Sequence, residues 1–245
     1  EGSTKILVPE KSLKDKVPPK VPAFFNSVAV LSRDFSILAY SAFWENFDKP
    51  LVFLDGLTGI GARSLRVAKE IPNVEKVIAN DINSEALKIA QNSANLNKIS
   101  NFEVSENEIC HFFSKYSKKE KRGSIVDVDP FGSPVKYFDC AIRATMHNGL
   151  LSVTATDLQV LHGLAKNACK RKYHGTPIKT EYSNEIAIRL ILGCLDVVAR
   201  RLDTQIIPQF VENNMHYYRI YVKILNRIDQ DEHQGYITHC GSCGN

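Results

Sequence analysis

A chain of 245 residues, 44% of them hydrophobic, is long enough to bury the core of one large α/β domain. Its formal charge of +4 permits a nucleic-acid partner without requiring one, and no apolar run reaches the length needed to span a membrane. With no signal peptide recognisable, the expected location is the cytosol, and nothing in the composition points to a membrane or a protein partner.

The opening residues, rich in Lys and Pro, predict an extended arm crossing the surface, with one short strand at Lys5 to Val8. The apolar spacing Val28, Leu31, Phe35, Leu38 predicts a helix from about Ser27 to Trp44. Phe24 and Phe25 just before it read, on the residues alone, as a hydrophobic staple. From Leu51 strands and helices alternate. LVFLD closes on Asp55, and a glycine-bearing turn, GLTGIGAR, leads to a helix over Ser64 to Glu70. VEKVIAND ends on Asp81 and is followed by a helix from about Ser84 to Leu96. A third strand, about Phe102 to Ser105, precedes a helix from about Glu108 to Tyr116. The fourth strand lies in Ser124 to Pro134, with a helix from about Val135 to Met146 and a fifth strand at Gly149 to Thr154 after it. A long helix, about Asn184 to Leu202, and two strands, about Gln205 to Val211 and His216 to Ile224, complete the series. The short loop between the last two strands predicts a hairpin. The expected fold is therefore α/β: a doubly wound, mostly parallel, seven-stranded sheet with one antiparallel strand.

The stretch SIVDVDPFGSP, Ser124 to Pro134, concentrates the chemistry. A buried strand ends in carboxylates and runs directly into Pro130, Phe131, Gly132 and Pro134, the kind of strand end where open α/β sheets hold ligands. Asp129 beside a Pro and a Phe suits a flat, nitrogen-bearing group, with a carboxylate to accept N–H and an aromatic face to stack. The plainer reading is a strand followed by a polar turn. Asp81 at the end of the second strand fits an acid that binds ribose hydroxyls, as in nicotinamide-binding and methyl-donor-binding folds alike. The third glycine of G-x-G-x-x-G is missing after Gly59 and Gly61, and the terminal hairpin favours the methyl-donor variant.

Cys110, Cys140, Cys169 and Cys194 sit in apolar or amphipathic stretches, where a buried free thiol is the default. Cys240 and Cys243 alone have metal-ligand spacing, half of a zinc knuckle that needs two further ligands; His239 and His233 are poorly placed to supply them. Basic runs at Lys115 to Arg122 and Lys166 to Lys172, with Arg200 and Arg201, are either solvated faces or phosphate contacts.

The stretches FFN…RD (Phe24 to Asp34), DGLTGIGARSLR (Asp55 to Arg66), ANDIN (Ala79 to Asn83), DVDPFGSP (Asp127 to Pro134), NGLLSVTATD (Asn148 to Asp157) and RKYHGTP followed by EYSNEIAIRLILG together resemble the tRNA (guanine26-N2) dimethyltransferase family. The resemblance runs in order over nearly the whole chain, and DPFGSP with GLLSVTATD is its most specific part. It implies a class I fold that uses S-adenosylmethionine to methylate the exocyclic amine of a guanine in tRNA. It further implies that Asp129 is the main catalytic residue, that Phe24 stacks on the extruded base, and that Pro130 and Phe131 shape its pocket. On the donor side it implies Arg33, Arg63, Asp81, Glu108 and Ile109, with Asp55 and Gly59 near the donor's amino-acid moiety. Glu108 stands where the family has Asp, Ile109 where it has Ala, and Asn184 where it has His. The expected organisation is an arm and helix over 1–50, a catalytic domain over 51–230, and the start of a C-terminal zinc and tRNA-binding region over 231–245. The alternative is a binding module that holds donor or RNA with little catalytic output.

Overall fold

The computed structural model describes residues 1–228 except 16, 46, 48 and 49, together with 235, 238, 240, 242 and 243. Five strands lie parallel: β1 (Leu51–Asp55), β2 (Val74–Asp81), β3 (Phe102–Glu106), β4 (Gly123–Val128) and β5 (Thr145–Ala155). Two more, β6 (Gln205–Asn214) and β7 (Tyr217–Leu225), form the hairpin, and the sheet order is β3-β2-β1-β4-β5-β7-β6. β7 runs antiparallel to both of its neighbours, so it is the single reversed strand. The order changes direction between β1 and β4, and the crevice outside their carboxyl ends is where such sheets bind ligands.

Both faces of the sheet are buried, and strand residues alternate between two cores. Phe53, Val77 and Ile125 face the layer of α2 (Val30–Trp44), α3 (Ala62–Glu70) and α4 (Ser84–Leu96). Their neighbours Leu54, Ile78 and Val126 face the opposite layer. That layer comprises α5 (Ile109–Ser114), α6 (Phe138–Ala144), α8 (Lys166–Tyr173) and α9 (Ser183–Arg200). A side-chain period of two with apolar residues in both phases produces this double burial. Among the described residues no helix is long and apolar enough to cross a membrane.

The structure departs from the sequence-based expectations at several points. Residues Lys5 to Val8 form no strand; Lys5 N–H donates to Asn97 Oδ1 and Leu7 N–H to Ser93 Oγ, so the arm lies on side chains of α4 instead of a strand edge. The arm also carries a short helix, α1 (Glu10–Lys14). The helix after the fourth strand stops at Ala144, where the Thr145 hydroxyl donates to the Ala141 carbonyl, and β5 begins at Thr145, four residues early. Two helices that were not among the expected elements, α7 (Leu158–Leu161) and α8, lie between β5 and α9, and α8 contains the basic run Lys166 to Lys172. Cys110 and Cys140 are not free thiols: they form a disulfide between α5 and α6, two helices whose packing brings together cysteines 30 residues apart. Cys169 and Cys194 are buried free thiols, each pushed up to about 11 by burial.

The largest surprise is the face α2 presents. Val28, in the 3-10 turn that leads into the helix, is exposed, and so are Leu31 and Leu38, while Ser32, Arg33, Ser36 and Tyr40 are buried. Beneath the helix runs a row of polar side chains on β5 and β7, including Ser152, Thr154, Arg219 and Tyr221. Ser36 Oγ lies 3.1 Å from Tyr221 Oη, and Tyr40 Oη lies 2.7 Å from Ser152 Oγ. Buried polar groups left unpaired cost more than apolar side chains left in water, so the helix turns its polar side inward.

Candidate active site

A cavity of about 510 Å³ opens at the carboxyl ends of β1, β2, β4 and β5. Of the residues expected at the site, Phe24, Arg33, Asp55, Gly59, Arg63, Asp81, Asp129, Pro130 and Phe131 all line it. Glu108 and Ile109 do not. The Glu108 carboxylate caps α5, accepting from the N–H groups of Cys110 and His111, and Ile109 is buried in the core beneath Gly56. A larger cavity of about 820 Å³ lies elsewhere, between α2 and the β6–β7 hairpin, with largely apolar walls and no cluster of catalytic groups.

The floor is a set of alternating charges. Arg63 Nη1 donates to Asp129 Oδ2 at 2.8 Å and to Asp127 Oδ2 at 3.0 Å. Arg219, fully buried on β7, donates from Nη2 to Asp127 Oδ1 at 2.7 Å, and its Nη1 stands 3.8 Å from Asp129 Oδ2. Burial works to raise the Asp129 carboxyl. The Arg63 and Arg219 charges, with hydrogen bonds from Arg63 and Thr154, outweigh it and hold the group below the usual carboxylate range. Asp129 is thus an anion with 29% of its side chain exposed to the cavity.

Along the opposite wall the glycine turn is latched to the sheet. Asp81 Oδ2 accepts from Gly59 N–H at 2.8 Å, and Asp81 Oδ1 accepts from Asn83 N–H at 2.9 Å. Gly61, with φ of 80°, precedes α3 in the left-handed region, and a Cβ there would stand 2.9 Å from Ala90 Cβ. Asp55 accepts from the Ser64 hydroxyl at 2.5 Å and from Leu57 N–H at 3.1 Å. Burial first, then the Asp127 charge, pushes its carboxyl up to about 7 against the pull of Ser64.

The rim carries the aromatic groups. Phe24 meets Phe131 edge to face with centroids 4.9 Å apart, and Lys20 sits over the Phe131 ring. Arg33 is paired with Glu1 at 2.6 Å and stacked on Phe25; Asp34 is bound to Arg66 instead. Phe25, nearly fully buried, packs beneath the rim with Ala23 and Ile60. The Pro130–Pro134 loop is tied down twice. Gly132 and Thr156 exchange hydrogen bonds, and the Ser133 hydroxyl donates to Tyr173 Oη, which in turn donates to Asp157.

Asp127, Arg219, Tyr40 and Thr154, joined by hydrogen bonds, and Tyr217, which lines the cavity, were not assigned to the site from the sequence. A signal existed for two of them: an arginine in the middle of YYRIYV and a first aspartate inside IVDVD both put charge where a strand must be buried. Asn184, the departure noted in α9, accepts from the Tyr218 hydroxyl at 2.7 Å, away from the cavity. Cys240 and Cys243 are exposed free thiols, and the described residues contain no group of three or more potential metal ligands. His233 and His239 lie outside the described residues, as does most of 231–245. Among the described residues Cys240 and Cys243 supply two of the four ligands that a tetrahedral zinc site needs.

The chain is 32% identical over 249 residues to a tRNA (guanine(26)-N(2))-dimethyltransferase of Methanobrevibacter smithii, covering 99% of this chain and 62% of that one. A relative with the same name from Methanococcus maripaludis is 38% identical over 226 residues, covering 91% of this chain and 58% of that one. This chain therefore spans about three-fifths of these relatives. Among solved structures, Trm1 from Pyrococcus horikoshii in complex with S-adenosyl-L-methionine superimposes with a TM-score of 0.77 at 28% identity, covering 86% of this chain and 59% of that one. The family model described as N2,N2-dimethylguanosine tRNA methyltransferase matches residues 2–245. The cavity at the switch point of this sheet, with Asp55, Asp81 and Asp129 on its walls, is thus the candidate active site of a chain that belongs to the N2,N2-dimethylguanosine tRNA methyltransferase family.

Proposed function

We propose that this chain transfers methyl groups from S-adenosylmethionine to the exocyclic N2 amine of a guanine in tRNA, at position 26 as in the names of its relatives. The observation that carries the reading is Asp129, an anion at the end of β4 beside Phe131 in the same cavity as Asp81. The N2 lone pair is delocalised into the purine ring, which makes the amine a poor nucleophile. As the sulfur–methyl bond breaks and the nitrogen–methyl bond forms, positive charge grows on that nitrogen. A carboxylate accepting its N–H stabilises the charge and receives the proton that must leave. Phe24 and Phe131 offer faces to the base once it is extruded from the tRNA, at a cost of roughly a few kcal/mol. The second methylation repeats the step on the product amine.

On the donor side, Asp81, Asp55, Gly59, Arg63 and Arg33 are the residues we assign to S-adenosylmethionine. Asp81→Ala removes a ribose acceptor and also unlatches Gly59. Donor affinity should weaken by about 1–3 kcal/mol in calorimetry, and an unchanged Kd would contradict the assignment. In this reading residues 51–230 carry the chemistry, and residues 1–50 supply part of the rim through Phe24 and Arg33.

For tRNA docking we assign α8, where Lys166, Lys170 and Arg171 are exposed. Tyr173, at the end of that helix, is the side chain tied to Ser133 and Asp157, so a phosphate held there sits on the element that anchors the catalytic loop. The run Lys115 to Arg122 leads into the amino end of β4, the far end of the strand from Asp129. Reversing charge at Lys170 and Arg171 should weaken tRNA binding and flatten its salt dependence by about one phosphate contact per residue. The function as a whole is tested by incubating the chain with labelled donor and unmodified tRNA, then analysing nucleosides for N2-methylated guanosine. Donor binding without any transfer to tRNA would defeat it.

A further inference from the structure

The Arg219 guanidinium is built into the molecule with unusual completeness. It lies directly opposite Thr154 on β5 and Glu212 on β6, and reaches across β5 to β4. Its Nε donates to Tyr221 Oη at 2.9 Å and its Nη1 to Thr154 Oγ1 at 2.5 Å. Nη2 donates to Asp127 Oδ1, to Tyr40 Oη at 2.8 Å, and at longer range to Ser152 Oγ. A guanidinium has five N–H groups. Four are thereby used, and the one left over, on Nη1, has Asp129 Oδ2 at 3.8 Å. Arg63 approaches that same oxygen at 2.8 Å from the cavity side. Two arginines and two aspartates form a closed set with no net charge, which leaves the floor neutral toward a cationic methyl donor.

We propose that Arg219 is a positioning residue for the transfer step: from behind the cavity wall it fixes the charge and the orientation of Asp129 without touching donor or tRNA. The inference rests on the methyl-transfer reading above. Arg219 is fully buried and does not line the cavity, so it has no direct access to substrate. A single buried ion pair roughly breaks even against its desolvation; one that satisfies hydroxyls from α2, β5 and β7 as well is held in one geometry. The charged and titratable groups facing Arg219 and Asp129 include Asp127 on β4, Arg63 on α3, Tyr40 on α2, Tyr217 and Tyr221 on β7, Glu212 on β6 and, through Asp127, Asp55 on β1. The positive groups that act most strongly on Asp129 are Arg63 and Arg219.

The test is the pH dependence of single-turnover methyl transfer to tRNA, with donor Kd measured alongside, for the wild type, Arg219→Met, Arg219→Lys and Tyr40→Phe. Loss of the charge in Arg219→Met should move the acid limb to higher pH by about one unit or more, with donor Kd little changed. Arg219→Lys keeps a charge but not the fork, so the limb should stay near the wild-type position while the rate falls. Tyr40→Phe removes one acceptor that does not line the cavity and should lower the rate about fivefold at unchanged donor Kd. A folded Arg219→Met protein whose acid limb stays in place would reduce Arg219 to a structural role and overturn the inference. If Arg219→Met does not fold, Tyr40→Phe decides: a wild-type rate overturns the inference, a reduced rate at constant Kd supports it. A wild type that binds donor yet methylates no tRNA defeats the parent reading, an outcome distinct from an active wild type with an unmoved limb.

Discussion

Replacing Asp129 by Asn is expected to cut methyl transfer by about a thousandfold while leaving donor binding within a factor of about two. The amide keeps the shape but offers neither the negative charge nor a site for the departing proton. A thousandfold loss corresponds to about 4 kcal/mol at the barrier, within reach of one group acting on developing charge in a sheltered site. The fold should survive, because Arg63 retains Asp127 at 3.0 Å and Arg219 never bonded Asp129 at hydrogen-bond distance. Donor affinity should survive because Asp81 and the Gly59 turn lie on a different wall of the cavity. Labelled-methyl transfer to tRNA and donor calorimetry on the same preparation separate the two quantities. Turnover above a tenth of the wild type would remove Asp129 from the catalytic role.

The second large effect is on stability, at Arg63. Its guanidinium is shared between Asp127, whose side chain is fully buried, and Asp129. Arg63→Met preserves the stem and removes the charge. Two carboxylates are then left with Arg219 alone, and breaking a buried charge set by deleting one partner costs about 3–5 kcal/mol. The pH dependence has a definite sign. In the wild type the Asp129 carboxyl is depressed, so its contribution to stability is present above the unfolded-state value near 4 and is lost as pH falls through the lower folded value. The variant lacks much of that contribution and relieves its strain by taking up a proton. The gap between the two proteins should therefore be widest near pH 7.5 and narrow toward pH 4. Urea unfolding at both pH values measures it, and a gap that widens on acidification would contradict the assignment of charges.

Much of this architecture was legible along the chain because local rules decide it. The seven strands, the hairpin and its reversed strand followed from apolar runs, turn residues and loop lengths, each a property of a few neighbouring residues. The Asn83 cap, whose Oδ1 accepts from Glu85 and Ala86, explains why the α4 boundary was readable to the residue. Where the local signal was thin, boundaries slipped. The start of β5 lies beyond a register shift opposite Gly123 and Ile125 and includes Asn148 at φ of 64°, neither of which an apolar pattern encodes. In α8 a run of Lys and Arg concealed a helix held by two buried residues, Cys169 and Tyr173.

The candidate site divides along the same line. Asp129, Asp81 and the glycine turn could be named from their places at strand ends, because the topology of a doubly wound sheet brings those ends together. Arg219 and Tyr40 could not, since their partners sit 92 and 112 residues away on other elements. Helix α2 shows the difference most clearly. Its apolar residues Leu31 and Leu38 predicted that a helix exists, and a helix is there. Which side of it faces the sheet was decided by hydroxyls and a guanidinium on β5 and β7, and those became its neighbours only once the chain had folded. By itself the sequence determined the seven strands of the sheet, their order along the chain, most of the helices and the edge at which chemistry gathers. The tertiary structure decided which polar groups find partners, because a hydrogen bond across strands is satisfied in three dimensions and leaves no periodic trace along the chain.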